Sequence, residues 1–361
     1  MKRLSRKKKI LFSLALYFLI SCICLLVAEV AIRIVCPQSI LPRFVENTTW
    51  GIRKVLPNIN TIHKTPEYSY RYRTNSKGFR GTKEHEIVHP ESCFRIVVQG
   101  DSVTLGHGVK DNETYSYFLE EMLNEDGFRA EVINMAVSGF GTAEEIIQFH
   151  EVAKKYKPDL VILGFFQNDP LNNAVCGLFT VEEGVLCRTE DDFIPGIYLR
   201  DRLYAIPGYS FFSQHSHLFT FFRQKASSVV LRRLRKKTEF HSTPIEETKE
   251  QNKGNATNQN ALLTKLLLRK HVDDVAQTGA KLLIVDIVDK RLKSCFPTDV
   301  EHDTNTMAIS TYDALKRSRD EGRKPFYEID SHPTAEGHRA IATCIYEALR
   351  DEWASETWPS I

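Results

Sequence analysis

Residues 94–102 read Phe-Arg-Ile-Val-Val-Gln-Gly-Asp-Ser. The run is short, largely apolar and stopped by a glycine, as in a strand buried on both faces of a sheet. A polar pair, Asp101-Ser102, follows at once and sets a hydroxyl at the strand's carboxyl end. Reading outward, the same unit recurs. NETYSYFLEEMLNEDG (112–127) has helical spacing and ends at Gly127, and EVINMAV (131–137) is a second strand. TAEEIIQFHEVAKKY (142–156) is an amphipathic helix in which Thr142 and Glu145 stand at capping-box spacing. PDLVILGFF (158–166) is a third strand. A helix over 261–279 and a strand over 280–288 continue the series, a fifth strand is expected at PFYEID (325–330), and a helix over 334–354 closes it. Strands alternating with helices predict a doubly wound α/β domain, one parallel sheet covered on both faces. Ligands in such sheets bind beyond the carboxyl ends of the strands, so chemistry should fall there.

The N-terminus has another character. Residues 10–32 (ILFSLALYFLISCICLLVAEVAI) carry one charge, Glu29, and span about 35 Å as a helix, enough to cross a hydrocarbon core of about 30 Å. Six basic residues, Lys2, Arg3, Arg6, Lys7, Lys8 and Lys9, precede the run, which by the positive-inside rule keeps residues 1–9 cytoplasmic and the body on the periplasmic or extracellular side. The expectation is an uncleaved single-pass signal-anchor. Two alternatives stand beside it: a cleaved secretory signal, and a lipoprotein signal in which Leu19-Ile20-Ser21-Cys22 would be the lipobox.

The organisation expected is therefore a basic tail (1–9), a transmembrane helix (10–32), a juxtamembrane segment (33–93) and a catalytic domain (94–354) with an insertion over 170–260. Residues 1–36 hold seven basic side chains and one acidic, leaving 41 basic against 45 acidic in the remainder. A body of that balance does not resemble a nucleic-acid binder. Within the insertion, Cys176 and Cys187 bracket a predicted hairpin around Glu183-Gly184 and could be disulfide-linked or free. Residues 236–260 are polar and predict a mobile loop, and the basic cluster from Arg232 to Lys237 is a solvated face or, as a minority reading, a contact for anionic headgroups. His215 and His217 have no acidic or cysteine partners at ligand spacing, so packing is favoured over a metal site. No Walker loop and no Gly-x-Gly-x-x-Gly after a strand occurs, and no metal, nucleotide or flavin cofactor is expected.

Four short motifs sit where the strand-end rule asks for them: Gly100-Asp101-Ser102, Ser138-Gly139, Gln167-Asn168-Asp169 and Asp330-Ser331-His332. A strand-end serine can be a nucleophile, a neutral histidine can take its proton, and a carboxylate can orient the imidazole. A glycine-loop N–H and an asparagine amide suit an oxyanion. Asp101 and Asp169 read as loop-shaping residues, and His338 as packing.

In these motifs the chain resembles the SGNH superfamily, also called GDSL hydrolases, over roughly 94–170 and 260–350. VVQGDSVTLGHGV, INMAVSGFGT, LGFFQND and DSHPTAEGH stand for its blocks I, II, III and V. The resemblance implies a flavodoxin-like sheet and an esterase acting through an acyl-enzyme. It also implies Ser102 as nucleophile, His332 as base and Asp330 as its orienter, with Ser102, Gly139 and Asn168 forming the oxyanion hole. Implied substrates are acylated small molecules, glycans or lipids; transfer of the acyl group to a glycan hydroxyl, or a catalytically silent glycan-binding protein, are the alternatives. Two departures stand out. Block V has Asp-x-His where Asp-x-x-His is common, as in glycan O-acetyltransferases of the alginate-acetylation type, and Gln167 replaces a frequent glycine in block III. The segment Asn75-Ser-Lys-Gly-Phe-Arg-Gly81 reads as a tight turn and resembles a feature of membrane-anchored bacterial members.

Overall fold

The computed structural model describes residues 6–189, 195–239, 249–288 and 305–354. In chain order its strands are β1 (Val45–Asn47), β2 (Arg53–Val55), β3 (Asn60–Lys64), β4 (Ser69–Arg73), β5 (Phe94–Gly100), β6 (Ala130–Asn134), β7 (Leu160–Phe166), β8 (Phe179–Glu182), β9 (Val185–Arg188), β10 (Lys281–Ile287) and β11 (Thr306–Ser310). The helices are α1 (Arg6–Val35), α2 (Ser102–Leu105), α3 (Tyr115–Glu125), α4 (Thr142–Glu151), α5 (Asp169–Cys176), α6 (Pro195–Tyr204), α7 (Tyr209–His215), α8 (His217–Glu239), α9 (Lys249–Ala276), α10 (Tyr312–Asp320) and α11 (Ala335–Ala354).

Two compact units divide the chain. One takes Met1–Pro42, His63–Tyr68 and Arg202–Ile245; the other takes Arg43–Ile62, Ser69–Asp201 and Glu246–Ile361. The division cuts through both the juxtamembrane segment and the insertion of the linear reading.

The larger unit holds a five-stranded sheet in the order β11-β10-β7-β5-β6, with every neighbouring pair parallel. Alternation along each strand sorts the core into two layers. Ile96, Val98, Ile162, Leu283 and Val285 face one side, against Leu119 and Leu123 of α3, Leu315 of α10 and Ile341, Ile345 and Leu349 of α11. Val97, Val161, Leu163, Leu282 and Ile284 face the other, against Phe149 of α4 and Leu268, Val272 and Val275 of α9. Counting from β5, the strand order is 2-1-3-4-5, the flavodoxin-like order whose reversal falls between the first and third strands.

Several local expectations are corrected. The fifth strand is Thr306–Ser310, paired with β10 from Leu282↔Thr306 to Asp286↔Ser310. Residues 325–330 instead form a loop with one isolated bridge, Phe326↔Pro333, and Ile329 points into solvent. Helix α4 starts from Gly141 without a side-chain cap; the Glu145 carboxyl and Thr142 hydroxyl are buried and take no part in a capping box. The polar stretch expected as a mobile loop is helical up to Glu239 and again from Lys249; residues 240–248 lie outside the described residues.

The hairpin around Glu183-Gly184 forms, with Glu183 at φ 50° and Gly184 at φ 82°, the left-handed pair that a tight hairpin turn requires. Cys176 and Cys187 are both free thiols. Cys176 sits before the hairpin and bonds to the Asn173 carbonyl. Cys295 lies outside the described residues.

In the smaller unit α1 has no buried residue and extends the expected 10–32 run by a turn at its start and three residues at its end. It is the one described helix long and apolar enough to cross a membrane.

Candidate active site

Strand β5 delivers Ser102. Gly100 has φ 151°, and a Cβ there would meet the Thr104 hydroxyl at 2.3 Å and the Gly164 carbonyl at 3.0 Å, so only glycine lets the chain turn here. Asp101 then caps α2 by accepting the Val103 N–H at 2.8 Å. Ser102, the first residue of that short helix, stands at the carboxyl end of the sheet.

The loop beyond α2 is held by the turn at 75–81. Asn75 accepts the N–H groups of Lys77 and Phe79, which folds the turn. Arg80, buried and stacked over Tyr72 at 4.4 Å, donates to the carbonyls of Leu105, Val109 and Arg73. From β6, Asn134 donates to the Thr104 carbonyl at 2.8 Å. The loop that follows Ser102 is thus pinned from two directions by groups that complete its backbone hydrogen bonds.

His332 and Asp330 come from the loop before α11. Tyr327 N–H donates to the His332 carbonyl, Thr334 N–H to the Pro325 carbonyl, and the Tyr327 hydroxyl to the Gly108 carbonyl at 2.9 Å. These bonds close the loop on itself and tie it to the loop after Ser102. His332 Nε2 lies 2.8 Å from Ser102 Oγ, and His332 Nδ1 is hydrogen-bonded to Asp330 Oδ1. A carboxylate only accepts, so Nδ1 carries the proton and Nε2 is free to accept from the serine. The Asp-x-His spacing suffices for this contact, because the loop bends over a single intervening residue, Ser331.

The expected oxyanion donors flank this group through the sheet order, since β5 lies between β6 and β7. Gly139 follows β6 in a turn closed by Phe140 N–H to the Val137 carbonyl. Its φ is 78°, and its carbonyl is held at 2.6 Å by Arg53, itself paired with buried Glu144. With the carbonyl so fixed, the peptide plane is fixed too, and the Gly139 N–H has no acceptor among the described residues. Asn168 follows β7 and donates from Nδ2 to Asp101 Oδ2 at 3.0 Å, leaving the second N–H of the amide available.

Buried acids lie beneath. Asp169 accepts the Phe166 N–H. Burial, with Glu145 and Asp101 nearby, pushes the Asp169 carboxyl well above the usual range, and burial beside Asp101 and Glu144 does the same to Glu145. His338 is buried as expected, accepting the Tyr115 N–H at 3.2 Å and stacking on its ring.

One residue of the site was not singled out in the sequence. His107 packs its ring against His332, centroids 4.6 Å apart, and its Nδ1 lies 3.3 Å from the Tyr70 hydroxyl. Burial, reinforced by His332, lowers its pKa to about 4, so it stays neutral. Its place five residues after Ser102 in Gly-His-Gly was visible; its ring contact depends on a loop more than two hundred residues away. Donor atoms of His107, Asp330 and His332 lie within 4.8 Å of one another. Those of Asp330 and His332 are already engaged with each other and with Ser102, which suits proton transfer better than ion binding.

The family model for GDSL-like lipase/acylhydrolase matches residues 96–202, which contain Ser102, Gly139 and Asn168. Over those residues the chain is similar to the SGNH/GDSL superfamily. No curated protein matches the chain. Among solved structures it is similar to a two-domain esterase active on acetylated mannans (14% identity, TM-score 0.38, covering 74% of this chain and 51% of that one). It is also similar to a lipase from a goat rumen metagenome (15% identity, TM-score 0.37, covering 71% and 97%). A third is an acetyl-xylooligosaccharide esterase from Geobacillus (12% identity, TM-score 0.38, covering 73% and 95%). The chain spans about half the length of the two-domain esterase. The family match covers the first three motifs, and Asp330 and His332 lie beyond it.

Proposed function

We propose that the protein is a serine-dependent ester hydrolase. The observation that carries this reading is the continuous chain Asp330–His332–Ser102, with a 2.8 Å contact from base to hydroxyl. As Ser102 attacks an ester carbonyl, its proton passes to His332 Nε2, and Asp330 stabilises the imidazolium. The oxyanion is met by the N–H groups of Ser102 and Gly139 and by the free amide N–H of Asn168. His332 then gives the proton to the leaving alcohol, leaving an acyl-Ser102 that water, deprotonated by the same histidine, cleaves. The side chains of His332 and Asp330 are 22% and 28% exposed, so the base is open to an acceptor from solution, water in the hydrolytic reading.

The substrate class proposed is an O-acylated glycan or lipid outside the cytoplasm. Support comes from the apolar helix α1 and from the basic residues Arg6 to Lys9 at its start, the arrangement that retains that end in the cytoplasm. Ser102→Ala in the full chain should abolish turnover of an aryl acetate while its thermal transition stays within a few degrees of the parent. Turnover at the parent rate would remove Ser102 from the reaction.

A further inference from the structure

Glu29 is the one acidic residue in the apolar run, and within its unit it does a specific job. Its carboxylate accepts the N–H groups of His217 and Leu218, both at 2.9 Å, and the Ser216 hydroxyl at 2.7 Å. It therefore caps the N-terminus of α8 from another helix. Arg33, one turn on, donates to Glu29 and to the His215 carbonyl at 2.9 Å, and the Gln38 N–H donates to His217 Nδ1 at 2.8 Å. The corner between α7 and α8 is thereby fastened to the last turns of α1, where the apolar run gives way to charge.

That corner is aromatic and uncovered. Phe211, Phe212 and Phe222 are 61%, 52% and 62% exposed, and Ile206 and Val229 are exposed as well. The rings do not collapse away from solvent: Phe211 packs on Phe212 and on His215, and Phe212 on Phe219, leaving their outer faces open. Basic side chains stand beside them, with Arg223 half-buried and exposed Lys225 over the Phe221 ring. Leaving a phenylalanine in water forgoes the free energy its burial would release. Aromatic rings beside cations, at the level where a spanning helix leaves the hydrocarbon, match the boundary between acyl chains and headgroups.

We infer that the α7–α8 corner is a membrane-seating surface, in which Phe211, Phe212 and Phe222 insert at the acyl–headgroup boundary of the bilayer that α1 enters. The inference rests on reading α1 as a membrane helix. Glu29 and Arg33 set the depth, and the two parts act as one anchor.

The test uses the full chain in lipid nanodiscs made with or without brominated acyl chains, which quench tryptophan by contact. Phe212→Trp and Phe18→Trp are compared, with the parent emission subtracted and aryl acetate turnover of each variant measured to show that the fold is intact. The expected result is that both added emissions fall by half or more in brominated discs, and that acrylamide quenches neither strongly. Quenching of Phe18→Trp by bromine with Phe212→Trp open to acrylamide would overturn the seating surface and leave the α1 reading standing. Acrylamide quenching of both would overturn the two together.

Discussion

Asp330 is the residue whose role is most open to question from spacing alone, and the proposed triad rests on its contact with His332. Its contact with His332 Nδ1 fixes the tautomer that leaves Nε2 able to accept from Ser102. Asp330→Asn would offer its amide N–H to Nδ1 and favour the wrong tautomer, so kcat should fall by about 10⁴ while KM changes little. A fall of less than tenfold in steady-state kinetics would show that the carboxylate is not orienting the base. Asn168→Ala tests a different term. Loss of one oxyanion donor typically lowers kcat by about 10²–10³. An effect confined to KM would assign Asn168 to substrate binding. At this scale the sequence was informative wherever chemistry is local, because Gly100-Asp101-Ser102 states a turn, a cap and a hydroxyl in three letters. It was silent on His107, whose ring partner His332 is brought in by tertiary structure, and on Arg53, which fixes the Gly139 peptide from β2.

Among the elements, the one that most affects the site without touching it is the turn carrying Arg80. Its guanidinium satisfies three carbonyls, two of them in the loop that follows Ser102. Arg80→Met keeps most of the stem but strands those carbonyls, each at a cost of about 1–3 kcal/mol if it stays dry. Chemical denaturation should show a loss of about 3 kcal/mol or more, with Arg80→Lys recovering part of it; an unchanged midpoint would mean that the loop holds itself. The central strands were legible because each is continuously apolar and stopped by a turn. The fifth was not. Thr306–Ser310 is an edge strand with partly buried residues and a weak apolar signal, whereas PFYEID mimics a strand while folding as the loop that leads to His332. The error leaves the chemistry in place, since Tyr327 and Thr334 close that loop and Tyr327 reaches Gly108.

At the scale of the whole molecule, the doubly wound architecture follows from alternation, and the sheet order places Ser102 and Asn168 on either side of the topological reversal. The division into two units was not legible, because Glu29 capping α8 joins segments nearly two hundred residues apart. The larger unit also carries a pH signature. Burial lowers His107 and His271 to about 4 and His338 to about 3. Below pH 6.5 the unfolded chain takes up protons that the folded chain refuses, so stability is full above that value and falls as the pH drops toward 4. Each histidine should cost about 2 kcal/mol at pH 5. Glu131 adds to this at lower pH. Burial opposes its charge, but hydrogen bonds from His85 and Arg95 prevail and hold it at about 2, so its contribution is present above about pH 4.5 and is lost toward pH 2. Urea midpoints should therefore decline as the pH falls from about 6.5 to 5, and a flat profile over that range would contradict neutral burial of these rings.

The central claim is that Ser102 is a nucleophile made reactive by His332. A fluorophosphonate probe phosphonylates a serine only where an adjacent base has activated it, and peptide mapping of the labelled full chain finds the site. The account predicts a single labelled residue, Ser102, with labelling lost in Ser102→Ala and strongly slowed in His332→Ala. Labelling at another serine, or none on folded protein, would contradict it.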